Sequence, residues 1–289
     1  MGTATQPTSR VALVTGASSG IGEASARALG RAGFRVVLTA RRGERLEQVV
    51  KQIEAGGGEA LPIATDLADA EATSQMLRGA LEAFGRIDVL VNNAGFSPGA
   101  ALEQFSRSEV AHIFDVNLFA AMQLAGEVAP IMRAQGGGRI INVGSMGGCV
   151  PAPLALPYGA SKAALDMATR GLRLELAPWR IYVSLVVLGF VDTAVFDNAR
   201  AGSEHLRNDP DNPYRKLFFD LDAFVQKSLE KALEPDDVAA LILRVATAVR
   251  PKPRYYAPLS ARLQTGFLNL LPERWLDRLL LRVYKITPG

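Results

Sequence analysis

Thr15-Gly16-Ala17-Ser18-Ser19-Gly20-Ile21-Gly22 stands between an apolar run, Val11 to Val14, and a helical stretch from Gly20 to Ala32 that stops at Gly33. Glycines at such a turn let the backbone come close to an anion, and the helix that follows aims its first N–H groups at the same point. Strand, turn and helix in that order make a cradle for a pyrophosphate. Its candidate residues are Gly16, Ser18, Ser19, Gly20, Ile21 and Gly22. The spacing is not G-x-G-x-x-G, so the position of the turn carries the reading, not the glycines alone.

Outward from this turn, short β-branched runs alternate with helical segments: Val36 to Thr39, Ala60 to Ala64, Val89 to Val91, Arg139 to Val143, Tyr182 to Leu188 and Tyr255 to Leu259. That alternation predicts an α/β fold, a single-domain doubly wound parallel sheet of about seven strands with helices on both faces. Ser106-Arg107-Ser108-Glu109 reads as a capping box opening a helix that runs toward Arg133, and Pro157 sits at the start of another that continues to about Trp179. Residues 1–9 read as a flexible leading segment, 10–259 as the main domain and 260–289 as an amphipathic tail. An insertion over about 189–230 breaks the strand-helix rhythm near the carboxyl ends of the strands, where such sheets bind ligands.

Of 289 residues, 48% are hydrophobic and 21% charged, which excludes a disordered or fibrous chain. The net charge of +3 is spread over both signs without a basic arm, so no nucleic-acid partner is expected. The polar start lacks a signal peptide's apolar stretch, and the single cysteine, Cys149, permits no internal disulfide. A cytoplasmic setting is the resulting expectation. His112 and His205 stand apart from any ligand-spaced cluster, so no metal is expected either.

The second strand ends in Thr39-Ala40-Arg41-Arg42, where a dinucleotide fold places the residue that meets the adenosine ribose. An acid there accepts from a 2′-hydroxyl, whereas Arg41 and Arg42 pair with a 2′-phosphate. The expected cofactor is therefore NADP(H).

Further on, Tyr158-Gly159-Ala160-Ser161-Lys162 puts a phenol and an ammonium on one helix face. Ser145 lies just past the fifth strand, Asn117 within the preceding long helix, and Asn92-Asn93-Ala94-Gly95 after the fourth strand. With these motifs in this order, the stretch from about Arg10 to Thr193 resembles the short-chain dehydrogenase/reductase family. The turn matches its T-G-x-x-x-G-x-G, Asn92 to Gly95 its N-N-A-G, and Asn117, Ser145, Tyr158 and Lys162 its catalytic tetrad. The resemblance implies a Rossmann-like oxidoreductase. It also implies Asp66 and Leu67 beside the adenine ring, Asn93, Ala94 and Gly95 along the cofactor, and Gly189, Val191 and Thr193 at the nicotinamide carboxamide. Where the family usually reads P-G, this chain has Leu188-Gly189, which predicts a looser turn.

Carbonyl reduction needs hydride at carbon, a proton at oxygen and donors for the developing oxyanion. Tyr158 would be the acid and Ser145 the second donor; the family resemblance further implies that Lys162 bonds the nicotinamide ribose and that Asn117 holds a relay water. Lowering a phenol from pKa near 10 to about 7 takes roughly 4 kcal/mol, which Lys162 and the oxidised nicotinamide would supply.

The uncharged segment Met146 to Pro157, with Phe190, Val195, Phe196 and Leu217-Phe218-Phe219, suits a lipophilic carbonyl or alcohol substrate. Leu174 to Ile181 and the tail resemble the retinol- and hydroxysteroid-dehydrogenase branch. The alternatives are an oxidative steroid- or retinol-type dehydrogenase and a non-catalytic NADP(H)-sensing protein. For the tail, packing on the body or a second subunit is preferred to contact with a membrane surface. A homodimer or homotetramer is implied by the resemblance.

Overall fold

In the computed structural model, which describes residues 9–286, seven parallel strands form one sheet in the order β3-β2-β1-β4-β5-β6-β7. Along the chain come β1 (Val11–Thr15), α1 (Gly20–Arg31), β2 (Arg35–Ala40), α2 (Gly43–Ala55), β3 (Glu59–Ala64), α3 (Ala70–Phe84) and β4 (Val89–Asn92). These are followed by α4 (Arg107–Phe114), α5 (Ala120–Ala134), β5 (Gly138–Ser145), α6 (Leu156–Leu176) and β6 (Ile181–Leu188). The remainder is α7 (Val195–Gly202), α8 (Glu204–Asn208), α9 (Arg215–Leu229), α10 (Pro235–Thr247), β7 (Arg254–Ala257), α11 (Ser260–Leu268) and α12 (Glu273–Val283). Most of the leading segment expected at 1–9 lies outside the described residues.

Side chains alternate across a strand, so each buried strand feeds two cores. Ala12, Val14, Leu38 and Val143 pack with Leu29, Leu46 and Ile242 on one face, beneath α1, α2 and α10. Val11, Leu13, Val37 and Ile140 pack with Leu77, Leu124 and Leu176 on the other, beneath α3, α5 and α6. The doubly wound sheet expected from the alternation of elements is what forms.

Helix ends follow the local chemistry. Ser106 Oγ accepts from the Glu109 amide at 3.2 Å while Glu109 Oε2 accepts from the Ser106 amide at 2.8 Å, closing the capping box. The helix it opens is not continuous to Arg133. A wide π turn over Asp115–Phe119 separates α4 from α5, and Asn117 sits inside it. β7 ends at Ala257, two residues before the expected limit, because Pro258 has no N–H to extend the ladder.

Two further differences concern strand ends. Ser145 is the last residue of β5, paired with Leu188, and not a residue beyond it. Leu188 is itself paired with Ala257 on its other side, and the Gly189 amide donates to the Ala257 carbonyl at 2.8 Å. The leucine therefore extends β6 as a buried sheet residue, and the turn is not loosened.

β1 and β4 are neighbours, while the chain leaves β1 toward β2 on one flank and β4 toward β5 on the other. The crevice at their carboxyl ends is the topological switch point, where such sheets bind ligands. The glycine turn and the Asn92 to Gly95 segment both start there.

Candidate active site

At the switch point the turn is held by short, specific contacts. Thr15 Oγ1 accepts from the amides of Asn93 and Ala94, both at 3.0 Å, and Asn93 Nδ2 donates to the Thr15 carbonyl at 3.0 Å. Gly16 and Gly20 have φ of 66° and 55°, the left-handed region that glycine enters without strain. A Cβ on Gly16 would lie 2.9 Å from the Ala94 Cα, so this approach admits no side chain. The Ser19 side chain caps none of the first amides of α1, which leaves them open toward the crevice.

Arg42 reaches over this turn. Its Nη2 donates to Ser18 Oγ and Ser19 Oγ, each at 3.1 Å, placing one guanidinium at the mouth of the cradle. Arg41 is exposed beside it. The same end of the sheet receives Thr193, whose methyl would lie 3.1 Å from a Cβ on Gly20. Val191 is buried and bridged to Leu233, and the amides of Asp192 and Leu233 donate to Leu233 and Phe190 carbonyls at 2.9 and 3.1 Å. These bonds tie down the base of the segment after β6. Asp66 is exposed, with its carboxylate accepting from the Ala68 amide at 3.1 Å, whereas Leu67 turns its side chain into the core. A ligand beside Leu67 would therefore meet backbone.

The second half of the site rises from β5 and α6. Ser145 Oγ accepts from the Gly147 amide at 3.0 Å and is hydrogen-bonded to the Tyr158 phenol. Lys162, one turn further on, is buried and donates to the Val143 carbonyl at 3.0 Å, with its Nζ 6.0 Å from the Tyr158 ring centre. Asn117 and Lys162 converge on Gly95: a Cβ there would lie 3.1 Å from Asn117 Oδ1 and 3.2 Å from Lys162 Nζ. The cradle, Arg42, Thr193 and this gap before Gly95 leave room that only backbone without side chains provides, and donors that suit a dinucleotide. The residues fit a nicotinamide dinucleotide.

Some of these ties were not foreseen. Asn117 Nδ2 donates to the Phe96 carbonyl at 3.0 Å and to Ser161 Oγ at 3.1 Å, while its Oδ1 accepts from the Phe96 amide at 3.0 Å. Ser161 Oγ in turn donates to the Tyr158 carbonyl at 2.7 Å. Ser161 lies three residues after Tyr158, the helical spacing that could have marked it. Thr15 and Leu233 gave no comparable signal, since their roles depend on contacts far along the chain.

Burial sets the protonation of both titrating groups. It pushes the Tyr158 phenol above the ordinary tyrosine value, and the Ser145 hydrogen bond only partly opposes it. The lowering expected from Lys162 and the oxidised nicotinamide together has to overcome this burial; the Lys162 ammonium donates to the Val143 carbonyl. Lys162 itself is pushed down to about 8 by desolvation of its charge. An amine lowered on folding makes stability rise with pH between the folded value near 8 and the unfolded value near 10.5, because the unfolded chain there binds more protons. In urea titrations without cofactor, wild type should gain about 2 kcal/mol over Lys162→Met between pH 7.5 and 9.5. A constant difference would refute the buried-charge assignment.

A family model of short chain dehydrogenases matches residues 10–204. A 3-oxoacyl-[acyl-carrier-protein] reductase of Synechocystis is 37% identical over 195 residues, covering 67% of this chain and 79% of the relative. Among solved structures, a metagenomic short-chain oxidoreductase in complex with NADP is 36% identical with a TM-score of 0.69, covering 86% of this chain and 96% of that one. A short chain dehydrogenase/reductase from Burkholderia phymatum in complex with NAD is 29% identical with a TM-score of 0.79, covering 90% and 93%. The chain is an oxidoreductase of the short-chain dehydrogenase/reductase family. No helix among the described residues is long and apolar enough to cross a membrane.

Proposed function

We propose that this protein is an NADP(H)-dependent carbonyl reductase acting on a lipophilic ketone or aldehyde. The observation that carries the reading is the Ser145–Tyr158 hydroxyl pair, with Lys162 one helical turn away, standing beside the glycine turn at the switch point. When bound, the cofactor supplies hydride to the carbonyl carbon. Gly16, Ser18, Ser19, Gly20, Ile21 and Gly22 hold its pyrophosphate, Asp66 and Leu67 border the adenine, Asn93 to Gly95 line its path, and Gly189, Val191 and Thr193 meet the carboxamide.

Tyr158 donates the proton to the carbonyl oxygen, and Ser145 gives that oxygen a second hydrogen bond as charge develops on it. A phenol raised by burial stays protonated at neutral pH, the form that reduction needs. Lys162, lowered to about 8 by burial, remains mostly protonated at neutral pH; it bonds the ribose and passes a proton back to Tyr158. Asn117, fixed by the Phe96 backbone and Ser161, holds the water that returns the proton from solvent.

Phe190 stacks on Phe196 at 5.5 Å between ring centres and meets Phe224 edge-on at 6.0 Å, while Phe218 is buried against Ala101 and Leu154. These rings, with the uncharged Met146 to Pro157 segment, support an apolar substrate. Val195 and Phe219 are exposed and contribute less. Residues 10–259 make the oxidoreductase unit, with 260–289 appended to it. Exposed Phe119 at the end of the π turn, Met122 on α5, and Met167 and Leu174 on α6 support self-association into a dimer or tetramer.

The test is NADPH oxidation over carbonyls graded from small and polar to large and apolar, with NADH run in parallel. NADPH-dependent turnover of the bulky apolar members supports the reading. Equal rates with NADH would overturn the cofactor preference, and tight NADPH binding without turnover of any member would favour a sensor. Within the same assay, Arg42→Ala should weaken NADPH about 10- to 100-fold, the worth of one lost charge-assisted contact, and leave NADH unchanged.

A further inference from the structure

α11 and α12 each leave one apolar stripe uncovered. Leu259, Leu263, Phe267 and Leu270 recur at helical spacing and are 74%, 76%, 59% and 83% exposed. Trp275, Leu279 and Val283 do the same along α12, at 65%, 37% and 41%. The opposite sides are already used. Ala261 and Thr265 are buried under α11, and Tyr284, at the end of α12, is buried against Phe224 with ring centres 5.3 Å apart. Packing on the body, expected for the tail, thus accounts for one side only.

Beside the α12 stripe runs a second one, of charge. Arg274, Arg278 and Arg282 each precede one of the three apolar residues and are exposed. Residues 260–289 hold five of the 32 basic residues and two of the 29 acidic ones, so residues 1–259 balance at 27 of each. The even spread of charge expected from the whole sequence is thus incorrect at this end: the net charge of +3 resides in the tail. A two-fold contact between copies through this face would set one basic stripe near another, which disfavours a second copy as its occupant.

We propose that the α11–α12 face docks on an anionic lipid bilayer. The leucines, Phe267 and Trp275 enter the zone between headgroups and acyl chains, and Arg262, Arg274, Arg278, Arg282 and Lys285 meet the headgroup phosphates. Apolar burial and attraction to anionic lipid together drive such interfacial binding, and neither alone suffices for a short helix. The inference is independent of the substrate, since it rests on the tail alone.

The test is co-sedimentation of the full-length protein with phosphatidylcholine vesicles made with and without phosphatidylglycerol. Binding should require phosphatidylglycerol, weaken with added salt, and shift Trp emission to the blue. Trp275→Phe should abolish the shift while vesicle binding persists, since Trp179 lies elsewhere. Reversing Arg274, Arg278 and Arg282 to Glu should lower partitioning about 100-fold or more. Leu263→Ser with Phe267→Ser should also release the protein. All these side chains are exposed, so thermal unfolding should not move. Absence of binding to phosphatidylglycerol vesicles, or unchanged binding by the Glu variant, would overturn the proposal. So would an oligomer that ignores vesicles and dissociates in Trp275→Glu, which would assign the face to a second copy.

Discussion

Tyr158→Phe is expected to lower carbonyl reduction by about a thousandfold, within the 10²- to 10⁴-fold range of a positioned general acid, while NADPH affinity stays nearly unchanged. The phenylalanine ring fills the same space and still faces Lys162, whose Nζ is 6.0 Å from the ring centre, so the packing around it is preserved. What disappears is one O–H. Ser145 keeps its bond from the Gly147 amide and can still donate to a carbonyl, but an aliphatic hydroxyl is a far weaker acid than a phenol. The measurement is single-turnover oxidation of bound NADPH with the best substrate of the carbonyl series, alongside fluorescence titration of the cofactor. Turnover retained within a few-fold of wild type would remove Tyr158 from the chemistry. Loss of NADPH binding together with turnover would instead mean that the phenol's main task is to shape the cofactor site.

The strands and their parallel, doubly wound arrangement were legible, though not their order in the sheet, because the strands are buried on both faces and read as continuous apolar runs: Val11 to Thr15 is wholly buried, as its composition requires. The grouping of the candidate site residues was legible for another reason. The spacing of Tyr158 and Lys162 along one helix, and of the glycines in the turn, encodes their geometry locally. Properties set by distant neighbours were not. The Tyr158 phenol is raised because neighbouring residues strip it of water, and Lys162 donates to a carbonyl of another element. Nothing in Tyr-x-x-x-Lys shows either. The π turn around Asn117 is similar. It was read as plain helix because its side chains keep roughly helical periodicity, and only the Phe96 backbone and Ser161, brought from elsewhere, give Asn117 partners. The tail illustrates the reverse case. Its amphipathic pattern was evident, but which side faces the body depends on Tyr284 finding Phe224, a contact across about 60 residues of chain.

The other large effect falls on Gly22, which is not in a left-handed conformation and so is required for space alone. A Cβ at this position would fall on the Gly16 carbonyl oxygen, well inside contact, and 2.6 Å from Asn93 Nδ2. Both neighbours are fixed. Gly16 is itself pressed against Ala94, and Asn93 Nδ2 is donating to the Thr15 carbonyl at 3.0 Å. Neither can withdraw without breaking the contacts that join β1 to β4. Gly22→Ala, despite the better helix propensity of alanine, should therefore destabilise the protein by about 3 kcal/mol, the upper end of ordinary overpacking. It should also weaken NADPH by more than the 10- to 100-fold expected for Arg42→Ala, because the turn that carries the phosphate contacts must shift. Gly33→Ala serves as the contrasting variant: a Cβ there meets open space, and its φ of 83° makes strain its only cost. Urea unfolding and NADPH titration of both variants separate the two causes. Strain alone at Gly33 lowers stability and spares the cofactor, whereas displacement of the turn at Gly22 lowers both. If Gly22→Ala bound NADPH as wild type does, the close approach of α1 to the Gly16 carbonyl would not be what shapes the phosphate cradle.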